Sequence, residues 1–293
     1  MSHHDSVADV AWQADGRSES SQNRIVQAHF DSASTEWSRR YECKPRRMSD
    51  LDLQLRRRHA LRLVDVVLSR ASKPLDVLDV GCGPGGLLDE LSRETVRVNG
   101  VDLSPGMIAA ARRRYPRDRY EVADVLALPF ARESMDLVTC LGVVEYLPQP
   151  MDALRALRDV VRPGGWLIVS FPNRGSWLRT LSSIEVALER RAVRLVHRLR
   201  GRPVGADGPS YAHRQWKLTE AEHSLSQAGF RVEQTLFNTF GLYGRLGRPR
   251  LALALSAWAT RRFAEKRRVA GGLAHTMVLL ARRADDATQT QAT

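Results

Sequence analysis

The sequence predicts an α/β protein in which a mostly parallel sheet carries helices on both of its faces. Two observations lead to this prediction. Short apolar runs suited to buried strands alternate with helix-like segments between residues 73 and 173. The first of these runs, LDVLDV, leads directly into the glycine-rich segment GCGPGG. A strand that turns into a helix through glycines can bring main-chain amides close to a ligand.

The chain before the sheet predicts a tail and a helical cap. Residues 1–20 are polar and are expected to be disordered, whereas 21–72 carry apolar residues at helical spacing. Phe30 and Trp37 belong to a predicted helix and turn over 23–40, and a second helix is predicted over 51–68. Arg56, Arg57 and Arg58 are expected to face water mostly. The segment can pack on the sheet, close over a ligand, or do both.

The core alternates strands and helices. Asp102 and Asp124 follow the second and third strands, and Ser104-Pro105 has the form of a helix N-cap and first position. A helix over 151–161 is expected to end at the turn signal Arg162-Pro163-Gly164-Gly165. The five predicted strands lie at 75–80, 97–101, 119–123, 135–141 and 166–171.

After the fifth strand, residues 174–216 read as a helical insertion. Its residues 178–200 form a basic amphipathic pattern, followed by the glycine- and proline-rich loop GRPVGADGPS. A helix over 218–228 and two closing strands at 230–237 and 275–280 complete a seven-stranded domain over 73–283. Residues 251–269 form a second basic amphipathic stretch, and 284–293 form a polar, disordered tail.

Composition limits the possible partners and compartment. The 293 residues carry a formal net charge of +12, and the pI is about 10.4. That balance favours anionic partners such as nucleic acid, a membrane surface or an acidic substrate, or else reflects arginines spread over solvated faces. The scattered Cys43, Cys82 and Cys140 predict neither a disulfide framework nor a metal site. Without an apolar span or secretory signal, we expect a cytoplasmic protein that can associate with a membrane peripherally.

Four matches together resemble the class I S-adenosylmethionine-dependent methyltransferases. They are the loop VLDVGCGPGG, Asp102 about 20 residues later, Asp124 with Val125 and LALPF, and the strand MDLVTCLGVVEYL with the later RPGG and WLIVSFPN. The matches cover residues 75–173. The resemblance implies a Rossmann-like, doubly wound sheet that binds S-adenosylmethionine.

The resemblance also implies roles for single residues. Asp102 would accept hydrogen bonds from the ribose hydroxyls, as an acid at this place does in related sheets. The glycines would hold the amino acid part of the cofactor, Asp124 would read the adenine amino group, and Met107 would pack on the ring or in the core. The full set of expected cofactor residues is Asp79, Gly81, Cys82, Gly83, Gly85, Asp102, Leu103, Met107, Asp124, Val125 and Leu141.

A nicotinamide or flavin enzyme is the nearest rival, because Gly81, Gly83 and Gly86 satisfy G-x-G-x-x-G. Asp79 argues against it, since dinucleotide-binding folds usually place an apolar residue there. The sequence motif DxGCGxG, which begins at Asp79, is typical of the methyltransferases.

The catalytic candidates are His213, Glu145 and His29, with Tyr211 as a further possible base. Related small-molecule methyltransferases commonly have Glu-His where this chain has Glu145-Tyr146. The segment AHFDSASTEW resembles, loosely, the N-terminal segment of porphyrin- and quinone-type O-methyltransferases. That similarity is too short to name the substrate. The basic amphipathic segments 178–200 and 251–269 would lie around the mouth of the sheet, where they can contact an anionic membrane surface or pack on the domain. On the membrane interpretation we expect a small lipophilic or aromatic acceptor, methylated at oxygen. RNA methylation and a catalytically silent cofactor-binding protein remain alternatives. Few aromatics and no recognisable RNA-binding module argue against nucleic acid.

Overall fold

The sheet has seven strands within the part of the chain that the structure describes. The computed structural model describes residues 19–32, 34–91, 96–116, 119–200, 214–243 and 249–284. Most of the two predicted disordered tails, 1–20 and 284–293, lies outside these ranges, but residues 19 and 20 belong to a helix. The strand order is β3-β2-β1-β4-β5-β7-β6. The strands are β1 (Leu75–Val80), β2 (Val96–Asp102), β3 (Arg119–Val122), β4 (Met135–Cys140), β5 (Val161–Pro172), β6 (Phe230–Asn238) and β7 (Thr276–Arg283).

The helices alternate with the strands and also precede them. Among the described residues, three helices come before the first strand, in agreement with the predicted helical cap. In chain order the described helices are α1 (Glu19–Ser32), α2 (Ser34–Glu42), α3 (Met48–Leu68), α4 (Gly86–Leu91), α5 (Pro105–Arg114), α6 (Pro150–Val160), α7 (Trp177–Leu199), α8 (Leu218–Gln227), α9 (Arg250–Phe263) and α10 (Arg267–Leu273).

Strands β1 to β5 run parallel, and β7 lies antiparallel between β5 and β6. The order reverses at β1, which pairs β2 on one side and β4 on the other. Open α/β sheets bind ligands at the carboxyl ends of the strands beside such a reversal. The predicted doubly wound, mostly parallel sheet is confirmed.

Apolar side chains cover both faces of the sheet. On one face, Leu154 and Leu157 of α6 and Leu225 of α8 pack against strand residues including Val138 and Val169. On the other face, α3 buries its apolar stripe, and α4 adds Leu87 and Leu91. The α3 residues in that layer are Ala60, Leu63, Val64 and Val67, all almost fully buried.

The predicted turn after the sixth helix was wrong. The segment Arg162-Pro163-Gly164-Gly165 belongs to β5 and makes no separate turn, because α6 leads directly into the strand at Val161. The extra length is absorbed as an irregular pairing with β4, in which Met135 faces Val161 but Leu137 faces Trp166. The second basic stretch, 251–269, is divided between α9 and α10.

The insertion after β5 is closed at its base. Asn173 forms a parallel bridge with Trp216, and the Trp216 N–H donates to Pro172 O at 3.0 Å. The chain therefore returns close to the point at which it leaves the sheet. Residues 201–213, which include the predicted loop, Tyr211 and His213, lie outside the described residues.

Among the described helices, none is both long and apolar enough to cross a membrane. The same residues hold no group of three or more His, Cys, Asp or Glu side chains arranged to bind a metal ion.

Candidate active site

A cavity that is partly open to solvent lies at the carboxyl ends of β1 to β4. Its floor comes from the residues at which these strands end, and its other walls come from the cap helices and the loop after β4. The lining residues are Val26, Phe30, Trp37, Tyr41, Leu53, Arg56, Val80, Gly81, Gly83, Pro84, Asp102, Leu103, Met107, Ala123, Asp124, Val125, Leu141, Gly142, Val143, Tyr146 and Leu147.

The three glycines of the loop have different surroundings. All have positive φ: +74° at Gly81, +54° at Gly83 and +85° at Gly85. A Cβ on Gly81 would lie 2.2 Å from Val143 Cγ2, and one on Gly85 would lie 2.7 Å from the Tyr120 hydroxyl. A Cβ on Gly83 would meet no protein atom within 4 Å. Gly83 is thus the glycine that leaves ligand-accessible space beside its backbone, whereas Gly81 and Gly85 permit tight packing.

Asp102 ties the glycine loop to the end of β2. Its Oδ2 accepts from the Gly83 N–H and its Oδ1 from the Ser104 N–H, both at 2.9 Å. Burial raises the pKa of this carboxyl, while the two N–H groups act in the opposite direction. Each carboxylate oxygen can accept a further hydrogen bond, so a diol in the cavity could be bound by both.

Asp124 and its neighbours form an apolar slot with one polar edge. The Asp124 side chain accepts from the Leu126 N–H at 3.0 Å and so caps the short 3₁₀ turn after β3. Val125 and Met107 line the same cavity and are nearly inaccessible to solvent. Met107 is held by α5, whose N-cap Ser104 accepts from the Met107 N–H. A flat, apolar ring with a polar rim fits this slot.

Asp79 lies below the loop, in the wall of a smaller adjoining cavity. Thr139 Oγ1 donates to Asp79 Oδ1 at 2.6 Å. Burial raises the pKa of Asp79 to about 7, against the effect of the Thr139 hydrogen bond and with that of Asp102. A cation placed beside this carboxylate would relieve the cost of its burial. Cys82 lines the same small cavity, and burial raises the pKa of its thiol, so it acts as a protonated filler.

The cap closes the cavity with aromatic rings. The Phe30 ring lies 5.3 Å from Trp37 and 5.8 Å from Tyr146, and the Trp37 ring lies 6.4 Å from Tyr41. All four side chains line the cavity. The sequence places Phe30 and Trp37 in a predicted helix and turn and in the segment AHFDSASTEW, but nothing local in it shows that these two rings line the cavity.

Two polar side chains fix α1 to the loop after β2. Asp31 Oδ1 accepts from the Ser104 hydroxyl and from the Gly106 N–H, the latter at 3.0 Å. Gln27 donates to Leu103 O at 3.1 Å. The aromatic wall and the floor around Asp102 are therefore joined through neighbouring residues.

The prediction that Arg56 faces water was wrong. Its guanidinium lies 3.6 Å from Asp52 Oδ2 and 3.5 Å from Glu145 Oε1, and its side chain is only 13% exposed. Burial lowers its pKa, but the two carboxylates outweigh that effect and raise it, so Arg56 stays charged. Arg57 is also partly buried and pairs with Glu90 at 3.2 Å. The Asp52–Arg56 spacing of four residues is the signal that could have revealed the pair.

The catalytic candidates take different places. Glu145 is buried beneath the cavity beside Arg56, where burial raises its pKa and Arg56 opposes that shift; its Oε2 has no hydrogen-bond partner. His29 is partly buried next to Phe30, and its pKa is lowered by burial and then by Arg40. Neither side chain belongs to the cavity wall, which contains no histidine within the described ranges. His213 remains a sequence prediction.

Comparison with known proteins agrees with this geometry. Residues 78–169 match the family model described as a methyltransferase domain. That segment contains the glycine loop, both strand-end aspartates and the loop after β4. Residues 78–169 therefore belong to a class I methyltransferase domain. Domains of this class use S-adenosylmethionine, and the space at Gly83, the free acceptor capacity of Asp102 and the apolar slot at Val125 fit its parts.

The relatives of this methyltransferase domain are similar over part of their length. The chain is 38% identical over 104 residues to a ubiquinone biosynthesis O-methyltransferase of Albidiferax ferrireducens, covering 33% of this chain and 41% of that protein. It is 38% identical over 108 residues to a malonyl-[acyl-carrier protein] O-methyltransferase of Enterobacter lignolyticus, covering 36% and 43%. The Serratia proteamaculans ubiquinone biosynthesis O-methyltransferase is 32% identical over 166 residues, which cover 54% of this chain and 65% of that protein.

Solved structures extend the likeness in fold. Magnesium protoporphyrin IX methyltransferase of Synechocystis superposes with a TM-score of 0.60 at 18% identity, covering 89% of this chain and 99% of that one. At this identity the likeness concerns the fold alone.

Proposed function

We propose that this chain transfers a methyl group from S-adenosylmethionine to an oxygen atom of a small lipophilic or aromatic acceptor. The aromatic wall formed by Phe30, Trp37, Tyr41 and Tyr146 carries the proposal. Such rings bind planar, apolar molecules through stacking and edge-to-face contacts. The wall faces the strand ends at which the cofactor is expected, so one cavity can hold both reactants.

The choice of oxygen rests on the relatives. Three partly aligned proteins are named as O-methyltransferases: two are ubiquinone biosynthesis O-methyltransferases and one is a malonyl-[acyl-carrier protein] O-methyltransferase. Since the alignments cover less than two thirds of each relative, these names support oxygen as the methylated atom and do not identify the acceptor.

The bound cofactor supplies an electrophilic methyl group on a positively charged sulfur. The protein's part is to hold the acceptor oxygen in line with the bond that breaks and to exclude water. Asp102 and Gly83 fix one reactant from the floor, while the aromatic rings position the other from the cap. The acceptor oxygen loses a proton in the reaction, and the described cavity wall offers no histidine to take it. We therefore propose an acceptor whose oxygen ionises near neutral pH, with His213 as the alternative base.

The test is methyl transfer from labelled S-adenosylmethionine into an extract of host cells, followed by separation into organic-soluble, aqueous, nucleic-acid and protein fractions. Label in the organic phase is expected and would provide a compound to identify. Label in nucleic acid would refute the small-molecule proposal and favour RNA methylation, which is the alternative that the positive net charge suggests. No transfer to any fraction despite cofactor binding would favour a silent cofactor-binding protein.

Once an acceptor is identified, the aromatic wall can be tested separately. Trp37→Ala should raise the KM for the acceptor about tenfold or more, since a buried aromatic contact contributes on the order of 1.5 kcal/mol. Cofactor affinity should stay unchanged. Trp258→Ala is the matched control, because Trp258 is exposed on α9 and lies outside the cavity wall. Equal acceptor KM in the wild type and Trp37→Ala would refute the assignment of the wall.

A further inference from the structure

The helix of the insertion exposes a continuous apolar stripe. At about 100° per residue, six large apolar side chains of α7 fall within a sector of about 60°. All six are between 43% and 78% exposed. They are Trp177, Leu181, Ile184, Leu188, Leu195 and Leu199. Single exposed apolar side chains are common on soluble proteins, but a stripe of this length indicates an interaction surface.

The rest of α7 has little contact with the domain. Of its described side chains only Ser182 is buried, and its hydroxyl accepts from the Tyr243 N–H at 3.2 Å. The first turn is held by Ser176 and by Arg179, which donates to His275 O at 2.7 Å. The helix is therefore anchored at its beginning and along one narrow side, opposite the apolar stripe.

The charge of α7 is strongly positive. Residues 177–200 contain six arginines and two glutamates. Arg190, Arg191 and Arg194 line one groove together with Arg179. Arg191 and Arg198 border the apolar stripe on one side. Positive charges at this density attract anionic surfaces and repel basic ones.

We infer that α7 is an interfacial helix that docks this protein on an anionic phospholipid bilayer. The stripe of apolar side chains would enter the boundary between headgroups and acyl chains, and the bordering arginines would reach lipid phosphates. The helix is 23 residues long, or about 35 Å, so its stripe can contact many lipids at once. The apolar stripe complements the acyl chains of a bilayer, and the bordering arginines complement its anionic headgroups. A neutral protein groove would complement the stripe alone, so the charge favours the anionic bilayer as the partner.

Docking of α7 on a bilayer would also determine where the cavity lies relative to the lipid. The helix begins just after β5, at the carboxyl edge of the sheet, which is also the edge that carries the cavity. Docking would hold that edge near the lipid phase. Docking of α7 on a bilayer does not depend on which acceptor the protein methylates.

The experiment is sedimentation of the full chain with vesicles of 30% phosphatidylglycerol in phosphatidylcholine, compared with vesicles of pure phosphatidylcholine. Binding is expected only to the anionic vesicles and should weaken as salt rises. Ile184→Ser/Leu188→Ser/Leu195→Ser should weaken binding more than about tenfold. Arg191→Gln/Arg194→Gln/Arg198→Gln should weaken it on the order of 100-fold, from about a fivefold loss for each arginine near the membrane surface.

Matched controls separate these effects from general loss of apolar surface or charge. Val193→Ser removes an exposed apolar side chain from the other side of α7 and should bind like the wild type. Arg113→Gln/Arg155→Gln/Arg231→Gln lowers the net charge equally on exposed sites of other elements and should retain binding. Each variant's cofactor affinity and melting temperature report folding.

Three outcomes would overturn the inference: wild-type protein that stays in the supernatant with anionic vesicles, stripe variants that bind as the wild type does, or equal losses in stripe and control variants. If the stripe variants instead convert a dimer to a monomer with vesicle binding unchanged, the stripe is an interface between copies of this chain. Loss of vesicle binding with unchanged methyl transfer to a soluble acceptor would support the inference without touching the proposed function.

Discussion

The substitution Gly83→Ala distinguishes what Gly83 contributes to the stability of the glycine loop from what it contributes to ligand binding. Gly83 has φ of +54°, where an ordinary residue costs about 1–2 kcal/mol. Its Cβ would meet no protein atom within 4 Å and would occupy space that lines the cavity. For a domain of this size, Gly83→Ala should lower the melting temperature by only a few degrees.

Cofactor binding should respond far more strongly to Gly83→Ala. A methyl group in the cradle would displace the ligand from the backbone by about an ångström and remove one or two hydrogen bonds, each contributing about 1–1.5 kcal/mol. The affinity for S-adenosylmethionine in titration calorimetry should fall roughly 10- to 100-fold, and Gly83→Val should abolish binding.

Two other glycines provide the comparison. Gly272→Ala, on α10, also adds a Cβ with no neighbour within 4 Å but lies away from the cavity, so cofactor affinity should not change. Gly81→Ala would press its Cβ against Val143 at 2.2 Å and should lower stability much more than Gly83→Ala. Full affinity in Gly83→Ala would refute the assignment of this backbone to the cofactor.

Two further predictions concern carboxylates of the floor. Asp102→Ala should weaken S-adenosylmethionine binding by about 100-fold or more in calorimetry, because two hydrogen bonds to a charged group are lost at about 1.5–3 kcal/mol each; unchanged affinity would refute its ribose role. Because the pKa of Asp79 is raised to about 7 in the folded cofactor-free protein, the folded state binds the extra proton, and stability should fall as pH rises from about 4 to 7. Asp79→Asn should flatten that dependence in urea unfolding, and an equal slope in both proteins would contradict the assignment.

The sheet was predictable because its signals are local. Leu75–Val80 is a buried parallel strand, and such strands read as nearly continuous apolar runs. Asp102 could be assigned because a carboxylate at a strand end meets the other strand ends at one edge. The loop glycines were found together, but their separate surroundings depend on Val143 and Tyr120, which are far away in sequence.

The acceptor side of the cavity was less predictable, because its lining depends on contacts between residues that are far apart in the sequence. Whether Phe30 or its neighbour His29 reaches the cavity depends on the rotation of α1, which Gln27 and Asp31 fix through contacts with the loop after β2. No periodicity in the sequence specifies that rotation. The prediction for Arg56 failed because three consecutive arginines suggested a solvated helix face, whereas the first of them is buried beside Asp52 of the same helix and Glu145 of the loop after β4.

The buried side chain of Asp52 attaches helix α3 of the cap to the sheet. Its Oδ1 accepts hydrogen bonds from Asn238, Thr239 and Thr276 at 2.8 to 3.0 Å, and its Oδ2 lies beside Arg56. A buried carboxylate is tolerated when partners of this kind surround it, and removing any one of them is costly. Helix α3 is thereby attached to the ends of β6 and β7 and, through Arg56, to the loop after β4. It forms a wall of the cavity through Leu53 and Arg56. Helices α1 and α2 contribute Phe30 and Trp37 to the opposite, aromatic part of the lining.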